Sequence, residues 1–472
     1  MTSQDLAYMP ALDQARLIRT RELSPTEICE LYLGRISSSD QRFNSYLTVV
    51  ADQALEAARR AEKAIAADDS LGPFHGVPLS IKDLCDTAGI TTTLGTAAWK
   101  DRVPERDEEV VRRLRTAGFV VLGKTNTPEF GSAIFTEPWG YPPCRNPWDT
   151  DRTPGGSSGG AAAALAAGLC AISHSTDGGG STRIPAAWCG LVGFKPSRGR
   201  ISAFPGPQNL FTTDGAITRT VADAAAMLDA MEGYFTGDAY WAPPPARPFL
   251  HEVGQSPGRL RIAFAPSRPD VTIHDDYQQA VRETASLLAE LGHEVEEAAP
   301  PFAEINVDNP VFAAAAAAFA ATADAFPPYD TLDPINQGFI RLGQSVSARE
   351  VILAQLQTAE VARRLVAFFD SYDVLVTPTT GGPPPEIGRF RSDTDPWEKF
   401  IEVLPFAPFT SDWNLTGQPA VSLPLHTDSS GLPIGIQFVG RPADEATLFR
   451  LAAQLEEAAP WAHRRPPGCD QS

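Results

Sequence analysis

The chain has 472 residues, with 39 basic against 58 acidic side chains, a net charge of −19 and a pI near 4.8. Hydrophobic residues make up 43% and charged residues 21%, the composition of a globular chain long enough to bury a large core. So acidic a surface disfavours nucleic acid or an anionic membrane as the main partner, since both reward basic charge.

The opening MTSQDLAYMPALDQARLIRT carries early acids and no apolar run, so neither a secretory leader nor a membrane span is expected there. The longest apolar stretch, Val311 to Ala321, is mostly alanine and too short to cross a bilayer. Six cysteines (Cys29, Cys85, Cys144, Cys170, Cys189 and Cys469) form no CxxC pair and no His-Cys motif. Neither a zinc site nor a disulfide framework is expected; free buried thiols in a cytoplasmic protein are.

Residues 1–65 read as helical. Ser24-Pro25-Thr26-Glu27 supplies a cap, a first-turn proline and an early acid ahead of ICELYLGRI. GVPLSIKDL, GFVVLGKTN and GLCAISHSTD follow as strand-like runs, with VVRRLRTAG and AAAALAAG as helices directly before two of them. Further on, RLRIAFAP and HEVEEA read as strands around the amphipathic helix DYQQAVRETASLLAELG. An alanine-rich helical cap is expected over about 300–360, lying on the sheet. DVLVTPT, AVSLPL and PIGIQFVG return as strands before a closing helix, ATLFRLAAQLEEA. Such alternation predicts one α/β domain over 1–472, a sheet with helices on its faces.

Two letter patterns mislead. Gly118 to Thr125 fits GxxxxGK[ST], but its middle residues are Phe, Val, Val and Leu, so a strand occupies the place where a phosphate loop must be. Gly155-Gly156-Ser157-Ser158-Gly159 fits the GxSxG elbow, which needs a buried strand before it; NPWDTDRTP reads as loop. His174 is the general base that reading would nominate, and a lone strand histidine is more often structural.

A different grouping accounts for more residues. Gly178-Gly179-Gly180-Ser181 offers consecutive backbone amides fit to hold an oxyanion, with Ser181 placed as nucleophile. In GVPLSIK, Ser80 and Lys82 share one strand face, where partial burial would favour the neutral amine of Lys82 as base. Ser157, in its glycine turn, is a candidate proton relay. Taken singly, each also has a plain reading: a helix-entry loop, a flexible turn, or a lysine paired with Asp83.

Taken together, GGSSGG, STDGGGSTRIPA and the upstream SIKDL resemble the amidase signature family. The likeness continues through GKTNTPEF, RNPWD, CGLVGFKPSRGRIS, DGAITRTVADAA and GLPIGIQFVG, densely over about 70–230. The resemblance implies a central mixed sheet covered by helices on both faces, and a Ser–cisSer–Lys triad of Ser181, Ser157 and Lys82. It implies an oxyanion hole from Gly178, Gly179, Gly180 and Ser181, supported by Ser158, Thr176 and the Asp177–Arg183 pair. Gly131, Ser132, Phe135 and Trp139 are the expected substrate contacts, beside an apolar cleft. No metal or organic cofactor is implied. The expected activity is hydrolysis of C–N bonds in small amides through an acyl-enzyme, extending to carbamates, esters or nylon-type oligomers. The expected assembly is a monomer or homodimer. The alternative is a glutamine-hydrolysing amidotransferase subunit supplying ammonia to a tRNA-dependent complex; such subunits usually carry glutamine after the arginine, where this chain has Ile184.

Overall fold

A computed structural model describes residues 2–67, 71–206, 211–302, 310–391 and 396–469. Its described strands are β1 (Tyr46–Val49), β2 (Pro78–Lys82), β3 (Val120–Thr125), β4 (Ile172–Asp177), β5 (Val192–Lys195), β6 (Thr213–Thr218), β7 (Arg261–Phe264), β8 (Glu294–Glu297), β9 (Val374–Pro378), β10 (Ala420–Thr427) and β11 (Pro433–Gly440). All lie in one sheet, ordered β1-β3-β2-β4-β6-β5-β10-β11-β9-β7-β8. Parallel pairing occurs in two blocks, β3–β2–β4 and β9–β7–β8, and antiparallel strands join them. The sheet is therefore mixed and flanked by helices, as the resemblance implies.

Every residue of β2 and β3 is buried, as parallel strands covered on both faces should be. That burial places a lysine near the end of each strand, Lys82 and Lys124, inside the protein. The helix Pro25–Ser39 begins where its cap predicts: Ser24 Oγ accepts from the Thr26 amide, and Glu27 accepts from the Ser24 amide.

Two expectations need correction. The N-terminal 65 residues are not all helical, since Tyr46–Val49 forms an edge strand antiparallel to β3. The stretch SYLTVV is rich in β-formers, and pairing with β3 decides its state. The cap helices Pro310–Ala321, Pro334–Ser345 and Ala348–Ala367 do form, but their apolar cluster is not built on strands. Phe312, Ala316, Phe319, Ile335 and Phe339 pack with Ala133 and Phe135 from the loop after β3, so the cap covers a loop. The first part of the expected cap, 303–309, lies outside the described residues. All six cysteines are free and buried. Among the described residues, no helix is long and apolar enough to cross a membrane.

Candidate active site

The end of β2 delivers Lys82 and the end of β4 delivers Thr176 and Asp177, because the two strands are parallel neighbours. Lys82 Nζ donates to Ser157 Oγ at 2.7 Å and to Thr176 Oγ1 at 2.8 Å, with the Thr176 carbonyl at 3.5 Å. Burial pulls the Lys82 ammonium down to about 7, against the opposing pull of Asp177 and Asp214. A lysine in this position is neutral for a large fraction of molecules near pH 7.

Ser157 follows a cis peptide bond from Gly156. A Cβ at Gly156 would lie 2.7 Å from Phe135 N and 2.8 Å from Ala133 O, so only glycine lets the loop after β3 run against the turn at Ser157. Gly131 has φ +70°, and a Cβ there would lie 3.1 Å from Ser157 Oγ and 2.6 Å from Leu84 Cδ1. The Ser158 amide donates to the Ser181 carbonyl at 3.2 Å, and Ser158 Oγ donates to the Thr176 carbonyl at 3.2 Å. These bonds tie the end of β4, the turn at Ser157 and the glycine loop together; Ser181 is buried, at 8% exposure.

Beneath the glycine loop, Asp177 and Arg183 form a bidentate pair with both contacts at 2.9 Å and both side chains fully buried. Burial alone would raise the Asp177 carboxyl, but the Arg183 charge and its hydrogen bonds outweigh that and hold it well below the usual carboxylate range. Asp177 Oδ1 also accepts the Gly180 amide at 2.8 Å, and Oδ2 accepts the Thr182 amide at 3.2 Å. The Gly180 amide, expected among the oxyanion donors, is thus directed to Asp177.

Three residues to which the sequence analysis gave no role complete this support, all from the C-terminal part of the chain. Arg183 donates to Gln437 Oε1 at 2.6 Å, to Asn414 Oδ1 at 2.7 Å and to the Thr410 carbonyl at 2.9 Å. Asn414 Nδ2 reaches the Asp177 carbonyl, and Thr410 Oγ1 donates to the Gly179 carbonyl at 2.6 Å. The available signal was a glutamine inside the apolar run PIGIQFVG, since a buried polar side chain in a core strand needs a partner. We expect Asn414→Ala to cost about 2 kcal/mol of stability, because it strips a hydrogen bond from a buried charge. It should also lower kcat more than it raises KM; denaturant unfolding and steady-state kinetics check both.

The expected substrate residues fare unevenly. Gly131 abuts Ser157, as above. Ser132 turns its hydroxyl to the Glu129 carbonyl at 3.0 Å. Phe135 is buried against Phe390 within the cap cluster. Trp139 is 41% exposed, with the Arg391 guanidinium 5.6 Å from its ring centroid, at the protein surface. Phe130, next to Gly131, stacks on Phe326 at 4.3 Å and lies beside Phe319.

Both misleading patterns resolve on geometry. Lys124 is buried with Nζ on the Cys85 carbonyl and on Thr87 and Thr92 hydroxyls, so it is not presented to a phosphate. No strand leads directly into Gly155, and His174 is paired with Asp214 at 2.9 Å.

Comparison with known proteins identifies the family. The amidase family profile matches residues 27–449. The 6-aminohexanoate-cyclic-dimer hydrolase of Paenarthrobacter ureafaciens is 35% identical, across 99% of this chain and 98% of its own. A solved structure of 6-aminohexanoate cyclic dimer hydrolase complexed with substrate covers 98% of this chain and 99% of its own, at 33% identity and a TM-score of 0.92. A bacterial aryl acylamidase of the amidase signature family follows at 26% identity, 96% and 97% coverage and a TM-score of 0.88. One component of the glutamyl-tRNA(Gln) amidotransferase of Thermotoga maritima also matches, at 27% identity, 97% and 96% coverage and a TM-score of 0.79. With a matching profile over most of its length, and relatives that align end to end, this chain belongs to the amidase signature family of amide hydrolases.

Proposed function

We propose that the protein hydrolyses the C–N bond of apolar aryl or alkyl amides, including 6-aminohexanoate-type oligomers, through an acyl-enzyme on Ser181. The observation that carries this reading is the buried Lys82 Nζ, 2.7 Å from Ser157 Oγ in the turn hydrogen-bonded to the Ser181 backbone. Neutral Lys82 takes the proton of Ser157 as Ser157 takes that of Ser181, whose Oγ bonds to the substrate carbonyl carbon. The amides of Gly178, Gly179 and Ser181 hold the oxyanion, while Gly180 serves through Asp177. Collapse breaks the C–N bond, and the same relay returns the proton to the leaving amine. Water then attacks the acyl-enzyme by the reverse route and frees Ser181.

The apolar preference rests on Phe130, the neighbour of Gly131 in the chain, whose ring packs with those of Phe319 and Phe326. A carbamate presents the same carbonyl with a second leaving group, and an aryl ester carries a better leaving group than an amide, so accompanying turnover of both fits the same chemistry. Hydrolysis of matched para-nitroanilide, ester and carbamate substrates, a 6-aminohexanoate oligomer and free glutamine tests this. The anilide and the oligomer should be cleaved and glutamine left intact. Turnover of glutamine alone would instead establish the amidotransferase reading, against which stands Ile184, buried and apolar where those proteins usually carry glutamine.

A further inference from the structure

Chemistry-bearing side chains gather at a second place, beside the base and unused by the triad. Cys85 follows β2 in a tight turn, its amide donating to the Lys82 carbonyl at 3.2 Å. His174 stands on β4 and Asp214 on β6, diagonal neighbours across an antiparallel pair that matches His174 with Ala216 and Thr176 with Asp214. One donor atom from each of Cys85, His174 and Asp214 lies within 4.8 Å of the others. A fourth group adjoins them, since Cys85 Sγ donates to Glu108 Oε2 at 3.3 Å while Glu108 Oε1 is held by the Asp86 amide at 2.9 Å.

We propose that Cys85, His174 and Asp214 form a three-donor binding site for one divalent transition metal, best matched by zinc with its fourth position left to water. Sulfur, imidazole and carboxylate together favour zinc or cobalt and disfavour magnesium or calcium, which require all-oxygen shells. The three donors come from the turn after β2, from β4 and from β6, so three separate stretches of chain supply them. Donors around tetrahedral zinc stand about 3.5 Å apart, so the side chains draw in by about 1 Å on binding.

The histidine supplies an independent sign. His174 is fully buried, its Nε2 is 2.9 Å from Asp214 Oδ1, and its Nδ1 has no hydrogen-bond partner among the described residues. A buried imidazole nitrogen left unpaired is uncommon, and here the Asp214 carboxylate, accepting from Nε2, sets the tautomer that leaves Nδ1 so. Ligation through Nε2 exchanges that hydrogen bond for the metal and moves the ring proton to Nδ1. As the sulfur–metal bond forms, the Cys85 thiol proton leaves to solvent. Asp214, whose side chain is 13% exposed, provides the entry route. The neighbouring cations are Lys82, whose Nζ is turned to Ser157 and Thr176, and Lys124, whose Nζ meets the Cys85 carbonyl and not its sulfur. No CxxC or His-Cys spacing announces the site, because its donors are brought together only by the tertiary fold.

The test is titration of the chelator-washed full chain with cobalt(II), followed by zinc competition. One equivalent of cobalt should give a thiolate-to-metal charge-transfer band in the near ultraviolet, absent in Cys85→Ser and displaced by zinc. His174→Gln should weaken zinc binding by about tenfold or more. Circular dichroism of both variants establishes that each is folded before titration. Absence of the band in the wild type, or a band that persists in Cys85→Ser and so belongs to another cysteine, would overturn the proposal.

Discussion

Replacing Ser181 by alanine should lower amide turnover by about ten-thousandfold or more, while leaving the fold intact. The substitution removes one oxygen at the end of the glycine loop. It spares the Asp177–Arg183 pair, the Ser158 amide bond to the residue-181 carbonyl and the buried surroundings that hold them. Substrate binding should change little, so the loss should appear in kcat. Mass spectrometry of the wild type quenched during turnover should show the acyl group on the peptide containing Ser181, and the variant should show none. Amide hydrolysis that survives Ser181→Ala would mean that another group attacks the carbonyl, and His174 would then have to be reconsidered as a base despite its pairing with Asp214.

Lys82 should be nearly as costly to lose. Lys82→Ala removes the proton acceptor and should lower kcat by about a thousandfold, within the range of positioned general bases. Lys82→Arg should not rescue it, because a guanidinium does not give up its proton near neutral pH. The sign of the pH dependence follows from the working form of the base. The amine must be neutral to accept a proton, and burial brings its titration to about 7. Turnover should therefore rise with pH through about 7 and level off above it, falling about tenfold per unit on the acid side. A wild-type rate that is flat from about pH 5 to 9, or a Lys82→Arg variant with near wild-type turnover, would remove Lys82 from the role of base.

Much of the site was legible because its parts are local. The glycine loop, its serine and the relay turn each occupy a few consecutive residues, and the chemistry of backbone amides and hydroxyls follows from composition and order. The alternation of helix and strand patterns likewise predicted an α/β sheet. The short strand Tyr46–Val49 escaped because four residues between helices carry too little periodicity to declare a state; pairing with β3 fixes it. The cap's location also escaped, because the apolar faces of its helices say that they need a partner but not which one. That partner is the loop carrying Ala133 and Phe135.

By itself, then, the sequence determined the α/β architecture and the family, and it supplied the candidate residues of the site, since these rest on short contiguous motifs. Only the tertiary structure decided which distant groups stand together. It placed Lys82 against Ser157 across 75 positions, and it set Asn414 and Gln437 beneath the glycine loop. It also turned the Gly180 amide to Asp177 and gathered Cys85, His174 and Asp214 from three separate stretches of chain. The physical reason is the same in each case. Burial, hydrogen-bond satisfaction and the titration of a buried lysine depend on neighbours in space, and strand order sets those neighbours without leaving a spacing in the chain.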